Sequence, residues 1–435
     1  MKRILILPLI FLILFGSCRK NDTVPVRDVT PAMARDSLYD LMNQWYYWYN
    51  LMPVVTKENF SDPYKLMDTM RYKPLDRWSF VADYDEFNAE MQGEFVGHGF
   101  RIGLDDAGIA RIAMIYSQSP LYKDGVRRGW IVKKIGDHEI APILQSGNAA
   151  AYADAIGPST AGITNIFLFQ NPIDGKDVTI SSTKSNFILN TVLLYETIQL
   201  SSGITGHLVF DSFIEPSVQE LATAFAFFKE NNVKDLILDL RYNSGGYLFI
   251  AQTLASYIAG DGKAGTTFAN LQYNNKHQSQ NSIYSFVTSQ YPLNLTRLVV
   301  ITTRSTASAS EAVMNGLKGA NINVVSIGDL TNGKPTGMNG WDVGKKYWFW
   351  PVTFKMINAL GQGEYFEGIA PAKLVLDDIT HDFGDKEELC LKEAIYYLEN
   401  GLVSTKGSSD FIRYPQFSEK PSWIEKGLLL ETPVK

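Results

Sequence analysis

Cysteine, histidine and clustered positive charge are all scarce in this chain of 435 residues. The two cysteines and five histidines are scattered, so no group has the spacing of metal ligands, and the sequence predicts neither a metal site nor a cofactor. Lysine and arginine number 40 against 46 acidic residues, which gives a net charge of −6, and no basic block occurs beyond the extreme N-terminus. Nucleic acid is therefore not an expected partner.

Long apolar runs are also missing, with one exception at the N-terminus. Residues 1–3 carry positive charge, residues 4–15 are apolar, and Gly16 and Ser17 precede Cys18. The run is too short for an ordinary membrane span and indicates an export signal. Small residues before a cysteine resemble the lipobox of bacterial lipoproteins. The resemblance implies a lipoprotein signal peptide over residues 1–18, lipidation of Cys18, and a cell-envelope protein anchored on the periplasmic or outer-membrane face. The alternative is a plain secretory signal that happens to carry a cysteine.

The other cysteine, Cys390, lies in the stretch KEELCLKEAIYYLENG, whose apolar residues recur at helical spacing. This pattern predicts a buried thiol in the core. With Cys18 bound to lipid, no disulfide is expected within one chain.

Residues 19–92 are predicted to form a polar tether and an N-terminal helical domain. Apolar and aromatic residues fall at three- and four-residue steps from Leu38 to Met52, which predicts one helix ended by Pro53, and a second helix is predicted over residues 62–72. Aromatic residues at this density also suit sugar binding. Their helical spacing favours the packed core of a small domain.

From Gly97 the pattern changes to short strands separated by glycine turns, and residues 93–197 are predicted to form a β-rich domain. The order of a strand, a Ser-Pro helix, a Gly-Trp strand and a late hairpin resembles a PDZ domain. The resemblance implies that Gly97, His98, Gly99 and Phe100 form a loop whose backbone amides receive a peptide C-terminus, while the next strand pairs with the peptide edge to edge. A loop and a hairpin of this kind also occur in other β-rich domains.

Residues 198–401 alternate predicted strands and helices, so we expect a multidomain α+β protein with an α/β core. The runs LILDL, LVVIT and NVVSI are typical of buried strands. In such sheets ligands lie at the carboxyl ends of the strands, where this chain carries the turns NSGG and RSTASASE.

The serine-rich stretch after the second run allows two interpretations. A helix beginning near Ser308 places the serines at a helix N-terminus, where free amides and the dipole favour negative charge. Ser308 and Glu311 match the capping box S-x-x-E, which needs no catalysis. In the other interpretation Ser308 is a nucleophile, and its hydroxyl then needs a base.

Lys334 is the candidate base, because no histidine has a persuasive setting. A lysine can act near neutral pH only if burial lowers its pKa from about 10.4. Gly333 and Pro335 on either side suit a tight, ordered loop. The alternative is an ordinary surface lysine.

The motifs LILDLRYNSGG, TASASE and GK, in this order, resemble those of the S41 serine peptidases, the C-terminal processing peptidase family. The resemblance spans roughly residues 97–401 and implies a ClpP/crotonase-like fold for the α/β core. It also implies that Ser308 is the nucleophile and Lys334 the catalytic base, with Thr306 at the position of the first serine of the family motif.

The same resemblance implies an oxyanion hole formed by the backbone N–H groups of Ala309 and of Gly245 or Gly246. The family usually carries a glutamine four residues after the lysine to orient it. This position is Met338 here, and the neighbouring Asn339 is the candidate substitute.

Two hypotheses of different classes follow. In the first, a cell-envelope serine endopeptidase captures an unstructured or C-terminal peptide segment and cleaves it with Ser308 and Lys334, without a cofactor. In the second, a lipoprotein with a peptidase fold binds a peptide, glycan or apolar ligand without cleaving it, which the departure at Met338 favours. The physiological substrate, the oligomeric state and the role of residues 402–435 stay open at this point.

Overall fold

The computed structural model of this chain describes residues 28–405 and 413–431. The expected signal peptide and Cys18 lie outside the described residues. Within those two ranges no helix is both long and apolar enough to cross a membrane. Cys390 is a free, buried thiol in a helix, as the sequence predicts.

The N-terminal region combines α-helices with one short strand: α1 (Pro31–Trp45), α2 (Pro63–Met70), β1 (Phe80–Asp83) and α3 (Tyr84–Met91). The second predicted helix is confirmed as α2. The first was predicted too long, because α1 ends at Trp45 and only a single 3-10 turn, Tyr49–Leu51, follows. The Tyr47 N–H donates to the Val352 carbonyl at 2.8 Å, so a long-range contact draws the backbone out of the helix.

Apolar residues of the N-terminal region pack into a common core with the rest of the protein. Leu38, Met42 and Trp48 are buried in one cluster with Trp348 and Trp350, which lie far along the chain. This burial supports the packing interpretation of the dense aromatic residues over the sugar-binding one.

The β-rich domain follows, with eight strands and three helices between residues 94 and 188: β2 (Glu94–Gly97), β3 (Phe100–Leu104), β4 (Ala110–Ile115), α4 (Pro120–Lys123), β5 (Ile131–Ile135), β6 (His138–Glu139), α5 (Ile140–Ser146), α6 (Ala149–Ile156), β7 (Thr164–Gln170), β8 (Asp177–Thr183) and β9 (Ser185–Ile188). Its main sheet has the order β3-β4-β5-β7-β8, with β6 paired to β5, and β2 pairs with β9. Residues 98 and 99 join β2 to β3. The assignment of this domain as PDZ stays a prediction.

The α/β core contains the remaining elements up to residue 400: β10 (Val192–Leu200), β11 (Gly203–Phe210), α7 (Ser217–Glu230), β12 (Asp235–Asp239), β13 (Gly245–Tyr247), α8 (Leu248–Ala259), β14 (Thr267–Tyr273), β15 (Ser282–Ser285), β16 (Arg297–Thr302), α9 (Ala309–Gly319), β17 (Asn323–Gly328), β18 (Thr336–Met338), β19 (Trp341–Val343), β20 (Tyr347–Trp350), β21 (Val352–Ile357), β22 (Lys373–Leu374) and α10 (Leu389–Asn400). The core sheet begins with β10, so it starts earlier in the chain than the predicted boundary at residue 198.

The first core sheet has the order β10-β11-β12-β16-β17-β22, and all of its pairs except β10–β11 are parallel. Its central strands β12, β16 and β17 are the three apolar runs of the sequence. Helices α7, α8 and α9 pack on one face of the sheet and α10 on the other. Burial on both faces explains why these strands are apolar without alternation.

The C-terminal segment, defined here as residues 413–431, adds three more elements: β23 (Phe417–Ser418), α11 (Ser422–Glu425) and β24 (Leu428–Leu430). Strand β23 pairs with β3 at the edge of the β-rich domain. Strand β24 lies inside the second core sheet, whose order is β13-β24-β18-β21-β14-β15. The described part of the predicted tail is therefore built into two sheets.

Candidate active site

Three loops lie side by side at the carboxyl ends of β12, β16 and β17. They contain residues 243–246, Ser308 and Lys334, respectively. Parallel strands of one sheet end at the same edge, so residues distant in sequence meet there. The structure thus brings together the three motifs that the sequence separates.

Ser308 stands between the β16 loop and helix α9 with φ 62° and ψ −107°. A positive φ is uncommon for a residue with a side chain and persists only where the surroundings enforce it. Here the Ala307 N–H donates to the Asn243 carbonyl at 3.0 Å, and the Thr306 hydroxyl donates to the Leu240 carbonyl at 2.7 Å. A strained turn from strand to helix is the usual setting of a serine nucleophile on an α/β sheet.

The Ser308 hydroxyl is buried, and its Oγ has no hydrogen-bond partner among the described residues. The predicted capping box of Ser308 and Glu311 is present: the Ser308 N–H donates to Glu311 Oε2 at 2.7 Å, and the Ser308 side chain faces the Glu311 backbone N–H without forming a regular hydrogen bond. Capping does not explain why a buried hydroxyl is left without a partner. The geometry therefore favours a chemical role for Ser308.

Lys334 is completely buried, which is rare for a lysine. Its Nζ donates to the Gly427 carbonyl at 2.8 Å, lies 3.4 Å from Met338 Sδ, and is 5.8 Å from the centre of the Trp78 ring. Burial lowers the pKa of Lys334 to about 7, although the negative charges of Asp76 and Glu311 oppose the shift. A lysine of this pKa is available as a neutral base near neutral pH.

Glu311 links the nucleophile loop to the lysine loop. Its carboxylate accepts the backbone N–H groups of Ser308, Gly333 and Lys334 at 2.7, 2.7 and 2.8 Å, and the Thr331 hydroxyl at 2.5 Å. Burial raises the pKa of Glu311, and all four donors oppose this because they favour the ionised form. The sequence indicated only a helix cap at this position, and the second loop that Glu311 binds could not be inferred from the S-x-x-E pattern.

The Gly-Gly turn approaches the helix that follows Ser308. Gly245 has φ 104°, and a Cβ added there would lie 3.0 Å from the Ala309 amide nitrogen and 2.1 Å from the Leu428 carbonyl oxygen. Only glycine fits such a site. The Gly245 N–H donates to Asn243 Oδ1 at 2.9 Å, and Gly246 is paired with Leu429 of β24, so an oxyanion role for either amide, beside that of Ala309, stays a prediction.

The prediction that Asn339 orients the lysine is wrong. The Asn339 side-chain oxygen accepts the Thr353 hydroxyl at 2.7 Å, while Lys334 Nζ contacts Met338 Sδ and the Gly427 carbonyl. In this structure the acceptor for the lysine is a backbone carbonyl of the C-terminal segment. That segment carries no recognisable motif, so sequence reasoning missed Gly427.

Replacement of Met338 by glutamine is expected to leave kcat/KM equal or to raise it severalfold, because an amide oxygen is a stronger acceptor for the lysine than a thioether sulfur. Met338→Leu, which has similar volume and no acceptor, is the matched control. Steady-state cleavage of an unfolded protein by the two variants and the wild type measures the effect. A glutamine variant slower than the leucine variant would contradict the expectation.

The loop of residues 97–100 binds a carboxylate, but one that belongs to this chain. The N–H groups of His98 and Gly99 donate to Glu419 Oε2 at 2.7 and 3.1 Å. A Cβ on Gly97 would lie 2.8 Å from the same oxygen, and Phe100 is buried at the start of β3. Binding of a free peptide C-terminus at this loop stays a prediction.

The N-terminal region adds two residues to the site that the sequence did not indicate. Trp78 lies next to Lys334 Nζ, and Asp76 is buried behind it, where its carboxylate accepts the Tyr46 hydroxyl at 2.8 Å. In the ranges 28–405 and 413–431, no group of three or more histidine, cysteine or acidic side chains could hold a metal ion.

Comparison with known proteins agrees with this geometry. Residues 204–373 match the model described as "Peptidase family S41", and residues 34–80 match that of the "Peptidase S41 N-terminal domain". The chain is 24% identical over 289 residues to the carboxy-terminal processing protease CtpB of Bacillus subtilis, a match that covers 66% of this chain and 56% of CtpB. It is also 24% identical over 376 residues to CtpA of the same organism, covering 81% of this chain and 76% of CtpA.

Solved structures share the fold. A crystal structure from Bacteroides fragilis, described as that of an S41 protease, aligns with a TM-score of 0.69 and 22% identity, over 83% of this chain and 96% of its own. Carboxy-terminal processing proteases of family S41 are serine peptidases. Residues 204–373 and 34–80 are thus similar to the peptidase domain and the N-terminal domain of peptidase family S41, and the mixed α/β core shares its fold with the solved structure.

Proposed function

We propose that this protein is a serine endopeptidase that cleaves unstructured or C-terminal segments of proteins, with Ser308 as nucleophile and Lys334 as general base. The observation that carries the proposal is the buried lysine with a pKa of about 7, tied through Glu311 to a strained serine whose hydroxyl is unpaired. The curated relatives, which are named as carboxy-terminal processing proteases, support the same reaction.

The proposed reaction has two steps. Neutral Lys334 takes the proton of Ser308 Oγ as the oxygen attacks a peptide carbonyl, and the amides of Ala309 and of Gly245 or Gly246 stabilise the oxyanion. The lysine then gives its proton to the leaving amine, which leaves an ester on Ser308. Water, deprotonated by Lys334, hydrolyses this ester and regenerates both residues.

We also propose that the β-rich domain is a PDZ domain and captures part of the substrate. Its loop offers two amides to a carboxylate, as the contact with Glu419 illustrates, and the edge of β3 can accept a peptide strand. A peptide held there would lie on the same molecule as the catalytic loops.

Cleavage of an unfolded protein tests the proposal directly. We expect full-length wild type to hydrolyse reduced, alkylated casein, and Ser308→Ala to lose this activity by about 10³-fold or more. Intact mass spectrometry of wild type mixed with a fluorophosphonate should also show one adduct, absent from Ser308→Ala. If the alanine variant cleaves as fast as wild type, Ser308 is not the nucleophile.

A second candidate function is non-catalytic binding, and the complete burial of Ser308 and Lys334 favours it. An enzyme of this structure must open its site before it acts, whereas a binding protein need not. Absence of Ser308-dependent cleavage over a broad peptide library up to alkaline pH would support the binding protein.

We further propose that the protein is anchored to the cell envelope by lipid on Cys18. If so, full-length protein expressed in a bacterial host should fractionate with membranes, and Cys18→Ser should move it to the soluble fraction. Cys390→Ser, which removes the other cysteine, is the matched control and should leave fractionation unchanged. Unchanged fractionation of Cys18→Ser would contradict the anchor.

A further inference from the structure

We infer that the C-terminal segment, residues 413–431, is an internal peptide ligand that occupies both the carboxylate loop of the β-rich domain and the catalytic cleft. The part concerning the cleft rests on the proposed function. From this part we also infer the substrate class of the site: an extended apolar segment that joins the second core sheet as a strand.

The first contact reproduces peptide capture by strand addition. Phe417 and Ser418 pair antiparallel with Ile102 and Arg101 of β3, and the next residue, Glu419, directs its carboxylate at the loop. Here the side-chain carboxylate of Glu419 stands in for the C-terminal carboxylate of a bound peptide. A sheet edge that binds the C-terminus of a peptide uses the same two contacts: backbone pairing with the peptide strand, and loop amides that bind its carboxylate.

This carboxylate is buried and paired. Glu419 Oε1 lies 2.9 Å from Lys184 Nζ, and the two side chains are 1% and 0% exposed. A buried carboxylate is stable only with such partners. The loop and Lys184 therefore form a built anion site, and in this structure the C-terminal segment fills it.

The second contact places the segment in the catalytic cleft. Strand β24 lies between β13, which bears the Gly-Gly turn, and β18, which follows Lys334. The Leu428 N–H donates to the Ser244 carbonyl at 2.7 Å, and the Glu431 N–H donates to the Met338 carbonyl at 3.0 Å. The side chains of the three leucines of β24 are buried, so this cleft favours an extended apolar chain.

At Gly427 the segment passes directly between the two catalytic loops. A Cβ on Gly427 would lie 3.0 Å from Ala307 Cβ and 3.5 Å from Lys334 Cδ, and the Gly427 carbonyl takes the hydrogen bond of Lys334 Nζ. Ser308 and Lys334 have no exposed surface while the segment is in place. The segment therefore lies where a substrate would contact Lys334, so the two compete for one site.

Charged contacts hold the segment along its length and span both domains: Arg413 with Asp329, Glu419 with Lys184, Lys420 with Asp211, and Glu425 with Arg101. Each joins the segment to a residue of the β-rich domain or the core. Weakening one contact should therefore loosen the hold of the segment on both domains.

Two substitutions in the full chain test the inference. Gly427→Ala places a side chain at φ 109° against Ala307, and Glu419→Gln removes the charge held by the loop. We expect each to raise cleavage of an unfolded substrate by on the order of fivefold, because the segment then competes less well. Gly401→Ala, at φ 72° with nothing within 4 Å, and Glu139→Gln, an exposed side chain, are the matched controls and should not change the rate.

A synthetic peptide of residues 413–431 provides a readout that does not depend on catalysis. Labelled with fluorescein, it should bind Ser308→Ala/Gly427→Ala at least fivefold more tightly than Ser308→Ala alone, whose site is filled. Added to Gly427→Ala, the unlabelled peptide should compete with the substrate. It should raise KM and so lower the cleavage rate of the variant to that of wild type. Amide hydrogen exchange checks that residues 413–431 are released while α9 stays protected.

The outcomes separate this inference from the proposed function. If both variants stay folded but lose activity, and the peptide restores it, the segment is part of the catalytic machinery and the inference is wrong. It is equally wrong if the peptide binds neither variant while Ser308-dependent cleavage proceeds. If the peptide binds as expected and no variant cleaves anything, the internal ligand stands and the proposed peptidase function fails.

Discussion

Replacing Lys334 by methionine is expected to lower kcat/KM by about 10³-fold, because the variant retains the shape of the side chain and loses the base. Lys334→Arg should be as inactive, since an arginine stays protonated at every pH of interest. Wild-type activity should rise with pH through about 7, where the Lys334 ammonium loses its proton. Combining Lys334→Met with Ser308→Ala should cost little more than either change alone, because both break one catalytic unit.

The same substitution should also change how stability depends on pH. The pKa of Lys334 is lowered to about 7 in the folded protein, whereas an unfolded lysine keeps its usual value of about 10.4. Between these values the unfolded chain binds more protons than the folded one, so the free energy of unfolding rises with pH. The destabilising effect of the buried ammonium is complete below pH 7 and disappears towards pH 10.4.

Urea unfolding at a series of pH values measures this effect. From pH 7.5 to 9.5, the free energy of unfolding of wild type should gain on that of Lys334→Met by up to about 1.4 kcal/mol per pH unit. Lys176→Met changes a lysine that is 76% exposed, so the difference in the free energy of unfolding between wild type and this variant should not change with pH over the same range. A constant difference between wild type and Lys334→Met across this range would mean that the folded-state pKa is not lowered.

The sequence was sufficient to place the core strands and the three motifs of the candidate active site. Strands β12, β16 and β17 are uninterrupted apolar runs, and a parallel sheet with helices on both faces requires that pattern. Once these strands are adjacent, the residues that follow them must meet at one edge. Ser308 and Lys334 could therefore be named together although a helix and a strand separate them.

The C-terminal segment could not be placed from the sequence for a physical reason. Strands β23 and β24 have two and three residues, too few to show any hydrophobic period. Each is defined by pairing with a strand distant in sequence, β3 or β13. A contact with a residue distant in sequence also explains the early end of α1, because the hydrogen bond between Tyr47 and Val352 overrides a regular helical pattern.

Glu311 shows how one residue can satisfy a local pattern and a long-range one. As the N3 residue of α9 it accepts the Ser308 N–H, and its carboxylate also binds the lysine loop at Gly333 and Lys334. The local role was predictable from the four-residue pattern S-x-x-E. The second role depends on the pairing of β16 with β17, which brings the two loops together.

Replacing Glu311 by glutamine is therefore expected to reduce both stability and catalysis. Each carboxylate oxygen of Glu311 accepts two hydrogen bonds. In either orientation of a glutamine amide, its NH2 group would therefore face two donor groups and could accept neither hydrogen bond. We expect a loss of about 3 kcal/mol in the free energy of unfolding, because a buried charged acceptor is removed. The kcat/KM per folded molecule should fall on the order of 10²-fold, because the Ser308 and Lys334 loops are no longer held in register.

Glu388→Gln separates the two effects. Glu388 is equally buried and accepts both terminal guanidinium nitrogens of Arg241 and the Leu391 N–H, at the start of α10 on the opposite face of the sheet. Its replacement should cost similar stability and leave kcat/KM per folded molecule within about twofold of wild type, since Glu388 binds neither the Ser308 loop nor the Lys334 loop. Urea unfolding gives the folded fraction, and initial rates at a temperature where both variants are folded give the activity. If Glu311→Gln keeps full activity under those conditions, the carboxylate stabilises the fold and does not position the catalytic pair.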